Sequence, residues 1–291
     1  MQLKSYIQLC LRASAVLWKS KTITRISRLH LWCSLIRACR PHTSVFAFVL
    51  TVVSFKLLAL PWMPAVFIGA GFAGITLSIM LWNDFVDRHR DVEKGKIFAL
   101  RHPWCVLSAW RCISSITLAI LALSAVFWWQ AVLLCGTVWI LGLLYSVIRL
   151  GYPLNNLLVA LCSGSPVLAG MAYAETFDTR ILLVYCIVFS TIMMTETVKD
   201  IQDAKGDVGY KSTLATKAGR LQATVMVVML CYLPVSFALF YPHWVIKTIA
   251  ISFAAVAFSL GISFTRPRAL CWARSGADFF LTTLLIVLLI V

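Results

Sequence analysis

The sequence predicts an all-α integral membrane protein of nine transmembrane helices, and three observations carry that prediction. The 291 residues are 61% hydrophobic and 13% charged, with a mean hydropathy of +0.89, whereas soluble domains run at roughly 45–50% apolar. Nine apolar runs approach the length that crosses a bilayer, about 20 residues. All but three of the 26 Lys and Arg fall in the N-terminal arm or in every second connection between those runs, the positive-inside pattern of a multi-pass protein.

The runs lie at about 43–60, 64–82, 112–128, 131–148, 154–174, 180–198, 221–240, 243–264 and 276–291. Basic residues crowd the arm 1–40, the 83–111 loop, the 149–153 turn, the 199–220 loop and 265–275; Lys56, Arg180 and Lys247 are the exceptions. The N-terminus is therefore expected on the cytoplasmic or matrix side and the C-terminus across the membrane. A formal charge of +15 on a soluble chain would point to nucleic acid. Here no nucleic-acid motif occurs and the cations punctuate apolar runs, so membrane lipids are the expected partners.

The chain divides into a basic arm, 1–40, and a nine-helix domain, 41–291. Within the arm, Ile23, Ile26, Leu29, Trp32 and Ile36 recur near helical spacing among Lys21, Arg25, Arg28 and Arg37, which reads as an interfacial amphipathic helix. The arm also holds no acid and is Arg-rich, the composition of an organellar transit peptide. The bacterial cytoplasmic membrane is the first expectation for location, with an organellar inner membrane as the alternative. Gly69, Gly71 and Gly74 in the second run, and Ser163 to Gly170 in the fifth, allow close helix contact. The ten Cys stand singly without CxxC spacing and read as small packing residues.

Only 11 residues are acidic, and all but three of them fall in two short stretches: Asp84, Asp87, Asp91 and Glu93, then Glu196, Asp200, Asp203 and Asp207. Each lies where an apolar run, the second and the sixth, enters a basic loop, so both clusters belong to one membrane face. If the second run continues as helix, Asn83, Asp87 and Asp91 recur at i, i+4 and i+8, with Asp84 one step round. Asp200, Asp203 and Asp207 likewise share a face. Like charges so spaced repel, and oxygen donors without a His or Cys pair favour a hard ion, Mg2+. Acids mixed with Arg and Lys at one mouth suit a metal-bridged diphosphate. Only Lys56 reads as well inside a run, and the acids line no midplane path, which disfavours a transporter.

Asn83-Asp84-Phe-Val-Asp87-Arg-His-Arg-Asp91 resembles the NDxxDxxxD motif of the UbiA superfamily of intramembrane prenyltransferases. Lys199-Asp-Ile-Gln-Asp203-Ala-Lys-Gly-Asp207, followed by Gly209 and Ser212-Thr213-Leu214, is similar to its second motif, about 115 residues on. Arg40-Pro41 resembles the opening of the family's first span, and Tyr145, Arg149 and Asn156-Leu-Leu-Val-Ala160 its fourth-to-fifth-span segment. Where many relatives carry an Arg-Pro-x-x-Ser-Gly-like turn after the first motif, this chain has Val92 to Pro103.

The resemblance, over about 40–291, implies a bundle around a central cavity open to lipid, and transfer of an isoprenyl chain from a polyprenyl diphosphate to a membrane-soluble acceptor. An aromatic or quinone precursor is the first expectation for that acceptor and a glycerol lipid the second. Asn83, Asp87 and Asp91 would hold one Mg2+ and Asp203 and Asp207 another, with Asp84 and Asp200 as further ligands. Asp87 and Asp203 would be the central catalytic acids. Arg40, Lys94, Arg101, Lys199 and Lys205 would meet the diphosphate, Tyr145 would stabilise the allylic cation, and Arg149 and Asn156 would orient donor or acceptor. A cyclase that ionises the same donor without an acceptor is the rival within enzymes.

Overall fold

The structure is a computed structural model that describes residues 28–89, 91–92, 97–148, 150–207, 212–261 and 267–290, with side chains described for all of these except 28–30, 205–207, 254–261 and 267–273. Among the described residues there are helices and no strand. In a bilayer each backbone N–H and C=O must be bonded within the protein, and a helix achieves this within one segment. Six helices are long and apolar enough to cross a membrane among the described residues. The protein is a multi-pass integral membrane protein.

A short helix, α1 (Arg28–Cys39), leads through Arg40 into α2 (Pro41–Leu57). Arg40 is left-handed (φ 49°, ψ 61°), which breaks the helix and redirects the chain, and Pro41 suits the next first turn because its missing N–H would have no partner there. The predicted amphipathic segment 21–38 is thus helical from Arg28; its earlier part lies outside the described residues. α3 (Trp62–Val86) follows, then α4 (Phe98–Arg101) and α5 (Pro103–Val147).

At 45 residues, a straight α5 would measure about 68 Å, more than twice the roughly 30 Å hydrocarbon core. It breaks at Trp128, whose φ of −141° and ψ of 48° are not helical. Ser78 of α3 shows that the two halves lie side by side: its hydroxyl meets that of Ser114 from the first half at 2.8 Å and accepts from Trp139 Nε1 of the second at 3.1 Å. The break separates the predicted runs 112–128 and 131–148.

α6 (Leu154–Gly164) passes through a 3-10 turn (Ser165–Leu168) into α7 (Ala169–Ala174). Pro166 lacks the N–H that would continue the helix. Gly170 takes advantage of the break, donating its N–H to Ser54 Oγ at 2.9 Å. A methyl on Gly170 would come within 2.9 Å of the Ser54 backbone, so glycine is what lets α2 approach here.

α8 (Thr179–Asp207) is capped by Asp178, whose Oδ1 accepts from the N–H groups of Arg180 at 2.8 Å and Ile181 at 3.3 Å. The bundle ends with α9 (Leu214–Lys217), α10 (Arg220–Leu239), α11 (Trp244–Gly261) and α12 (Pro267–Ile290). One buried cluster joins α2, α6, α8, α10, α11 and α12 around residues such as Leu50, Ile187, Val227 and Leu284. A second joins α2, α3 and α5 around Phe55, Phe72 and Leu121. α2 is shared by both halves of the core.

Trp62, Phe127, Trp129, Phe177, Phe240 and Trp244 are exposed where helices meet the sparsely basic connections, and Trp32 and Trp104 toward the basic end. These are the aromatic belts of a membrane protein. The placement of Lys56 inside a run is corrected. It lies one residue from the end of α2 and donates its Nζ to the Leu289 carbonyl. Arg180 donates to the Leu57 carbonyl at 3.1 Å. Both cations satisfy terminal carbonyls that have no partner within their helices.

Candidate functional site

The two acidic stretches sit at the ends of α3 and α8. The expectation that helix continues to Asp91 is corrected: α3 ends at Val86 with Asp87 as its cap. Arg88 closes that end, donating to the Phe85 carbonyl at 2.7 Å and lying 4.4 Å from the Phe85 ring centre. One i to i+4 bond survives beyond the cap, from Asp91 N–H to the Asp87 carbonyl at 3.0 Å, so Asp91 still folds back beneath Asp87. Asp84 and Asp91 are buried, and Asn83 and Asp87 half-buried.

The left-handed Arg40 returns its side chain to α3. Nη2 pairs with Asp84 Oδ1 at 3.1 Å and Nη1 meets Met80 Sδ at 3.2 Å. On α8, Lys199 Nζ pairs with Glu196 at 3.1 Å, and Lys199 also lies within electrostatic range of Arg40 and of Tyr145 from the end of α5. Arg40 therefore bridges the motifs: bonded to the first, it neighbours the second.

Asp200 is held from α6. The fully buried Asn156 donates Nδ2 to Asp200 Oδ2 at 2.9 Å and to Thr197 Oγ1 at 3.4 Å, while its own oxygen accepts from Asn155 at 3.3 Å. Tyr152 lies close enough to Asp200 that burial, reinforced by that carboxylate, pushes the phenol above its usual range. Its N–H donates to the Ser212 carbonyl at 2.8 Å, which pins the segment following the second motif against the entry to α6. Burial and the adjacent Arg88 push His89 below its usual range.

Contacts thus link Arg40 with Asp84, Lys199 with Arg40 and Tyr145, and Asn156 with Asp200, while Asn83, Asp87 and Asp91 stand at or just beyond the end of α3 and Asp203 in the last turns of α8. Asp207 and Lys205 occupy the last turn of α8, but their side chains lie outside the described residues, as do Lys94 and Arg149 altogether. Arg101 ends α4 and is exposed. Among the described residues no three His, Cys, Asp or Glu stand close enough to hold a metal as placed. The donor set nevertheless fits one kind of ion, since carboxylate and amide oxygens on two helices suit a hard cation.

A model of the UbiA prenyltransferase family matches residues 43–284. The chain belongs to the UbiA prenyltransferase family. No curated protein matches it. Among solved structures, this family member resembles digeranylgeranylglyceryl phosphate synthase (TM-score 0.65, 16% identity, over 90% of this chain and 97% of that one). It also resembles a UbiA homolog from Aeropyrum pernix K1 (0.64, 16%, 85% and 98%). A third likeness is to a UbiA homolog from Archaeoglobus fulgidus bound to GPP and Mg2+ (0.60, 17%, 89% and 100%). At these identities the likeness is one of fold.

Sequence reasoning passed over Glu196, Asn155, Thr197 and Tyr152 as site residues. Glu196 carried a signal, lying four residues before Asp200 and three before Lys199 on one helix. Thr197 and Tyr152 had none, because their partners lie on another helix, and Asn155 had none because its side chain bonds that of its own neighbour, Asn156.

Proposed function

We propose that the protein is a Mg2+-dependent prenyltransferase that moves an isoprenyl chain from a polyprenyl diphosphate to a membrane-soluble acceptor. An aromatic or quinone precursor is the preferred acceptor and a glycerol lipid the second. The observation that carries this reading is Arg40, paired with Asp84 of the first acidic stretch and within electrostatic range of Lys199 beside the second. Family membership supports it, as does the GPP and Mg2+ bound to the Archaeoglobus fulgidus homolog.

Asn83, Asp87, Asp91, Asp203 and Asp207 would hold Mg2+, which supplies Lewis-acid stabilisation of the leaving diphosphate. Arg40, Lys199 and the loop cations Lys94, Arg101 and Lys205 neutralise the rest of that charge as the allylic C–O bond breaks. The aromatic face of Tyr145 steadies the allylic cation, and the apolar helices keep water from it. Attack by an electron-rich acceptor carbon, followed by loss of its proton, completes transfer. Nine crossings around a lipid-open cavity fit the chain once the halves of α5 are counted apart and α11 and α12 are added. Residues 41–291 form the catalytic domain, with the N-terminus on the cytoplasmic or matrix side.

The test is product analysis of the purified protein in nanodiscs, supplied with Mg2+, with geranyl to longer polyprenyl diphosphates, and with a panel of aromatic and glycerol-lipid acceptors. A prenylated acceptor supports the reading. Cyclised or hydrolysed terpene alone, with every acceptor present, would replace transfer by cyclisation or hydrolysis.

A further inference from the structure

At the shared mouth, each cation is held by the acid lying deepest in its own motif. Asp84 is the first acid of the α3 stretch and takes Arg40 at 3.1 Å. Glu196 is the first of the α8 stretch, about 6 Å below Asp200 along the helix, and takes Lys199 Nζ at 3.1 and 3.4 Å on its two oxygens. The same device is thus built twice, on two helices, around two cations that are electrostatic neighbours.

We propose that Asp84 and Glu196 are positioning residues, which hold Arg40 and Lys199 as a preformed cation pair for the donor's diphosphate and leave metal binding to the other acids. This rests on the prenyltransferase reading. Two cations facing a common space repel each other, and half-buried they lack the water that would screen them. A carboxylate beside each offsets that repulsion and fixes a flexible side chain. The pairing also leaves donors for an anion. Arg40 has five N–H bonds and Lys199 three, and Asp84, Met80 and Glu196 engage only some of them.

The experiment measures two constants on the full chain in nanodiscs with inorganic diphosphate as probe: its affinity at excess Mg2+, and the Mg2+ concentration that half-supports binding at saturating diphosphate. Asp84→Asn and Glu196→Gln are expected to weaken diphosphate binding about tenfold or more, the scale of a lost charge-assisted hydrogen bond, with the Mg2+ midpoint within about twofold of wild type. Asp87→Asn is expected to move the Mg2+ midpoint instead. Glu196→Gln combined with Lys199→Gln should bind diphosphate no more weakly than Lys199→Gln alone, because Glu196 acts through Lys199. Glu196→Asp, which keeps the charge, should recover part of the affinity.

A Mg2+ midpoint displaced as far by Asp84→Asn and Glu196→Gln as by Asp87→Asn, or additive effects in the double variant, would overturn the assignment alone. Wild-type protein that binds no diphosphate in Mg2+ would overturn the prenyltransferase reading together with it.

Discussion

Asn156→Leu should loosen the junction between α6 and the second acidic stretch by a definite amount. The substitution removes the amide that donates to Asp200 Oδ2 at 2.9 Å, between residues 0% and 3% exposed. A hydrogen bond to a charged acceptor contributes about 1.5–3 kcal/mol, whereas the contacts at 3.3 and 3.4 Å to Asn155 and Thr197 sit at the edge of useful geometry and contribute little. A loss of about 2 kcal/mol follows, equivalent to a fall of about 4–8 °C in apparent Tm for a large domain. The assay is thermal unfolding in nanodiscs followed by fluorescence of the 11 Trp. Asn155→Leu, which gives up only the weak bond, is the control and should shift the midpoint by no more than about 2 °C. Equal midpoints for Asn156→Leu and wild type, or equal losses at both positions, would refute the claim that Asn156 anchors Asp200.

Three further outcomes follow from the same structure. Gly170→Ala places a methyl within 2.9 Å of Ser54 backbone atoms and should lower stability by about 1–3 kcal/mol, while Gly136→Ala meets nothing within 4 Å and should be neutral or mildly stabilising; matching melts for the two would discount the contact between α2 and α7. Arg180, through its hydrogen bonds, holds the Asp178 carboxyl below its usual range, so this pair contributes stability above the unfolded value of about 3.9 that is lost as pH falls. The Tm deficit of Asp178→Asn at pH 7 should accordingly shrink toward pH 3.5, and a deficit constant across that range would argue against the ion pair. Finally, Asp203→Ala should abolish Mg2+-dependent turnover while leaving a folded protein by thermal melt, and retained turnover would remove Asp203 from the machinery.

Much of the fold was legible because membrane solvation imposes it. Apolar length and basic loops located the helices, and the separate runs on either side of residues 129–130 anticipated the break at Trp128. The helical continuation of the second acidic stretch to Asp207 was equally readable from its spacing. The first stretch misled because spacing alone cannot show where a helix ends: Arg88 folds back on the Phe85 carbonyl and the chain turns after Val86. Lys56 misled for a related reason, since hydropathy marks a run but not the neighbour, Leu289, that receives its end. The acids themselves were visible as residue types, yet which of them holds a cation depends on pairs as distant as Arg40 with Asp84. Asn156 is the clearest case: a resemblance suggested that it orients a substrate, and the folded chain gives its amide to Asp200, Thr197 and Asn155.

The most direct test of the central claim is diphosphate release from an isoprenyl diphosphate by the purified protein, with Mg2+ present or chelated. Release that requires Mg2+, and that Asp87→Asn and Asp203→Asn each abolish in folded protein, is the predicted result. Folded wild-type protein that releases no diphosphate from any donor, or releases it equally after Mg2+ is chelated, would contradict the account.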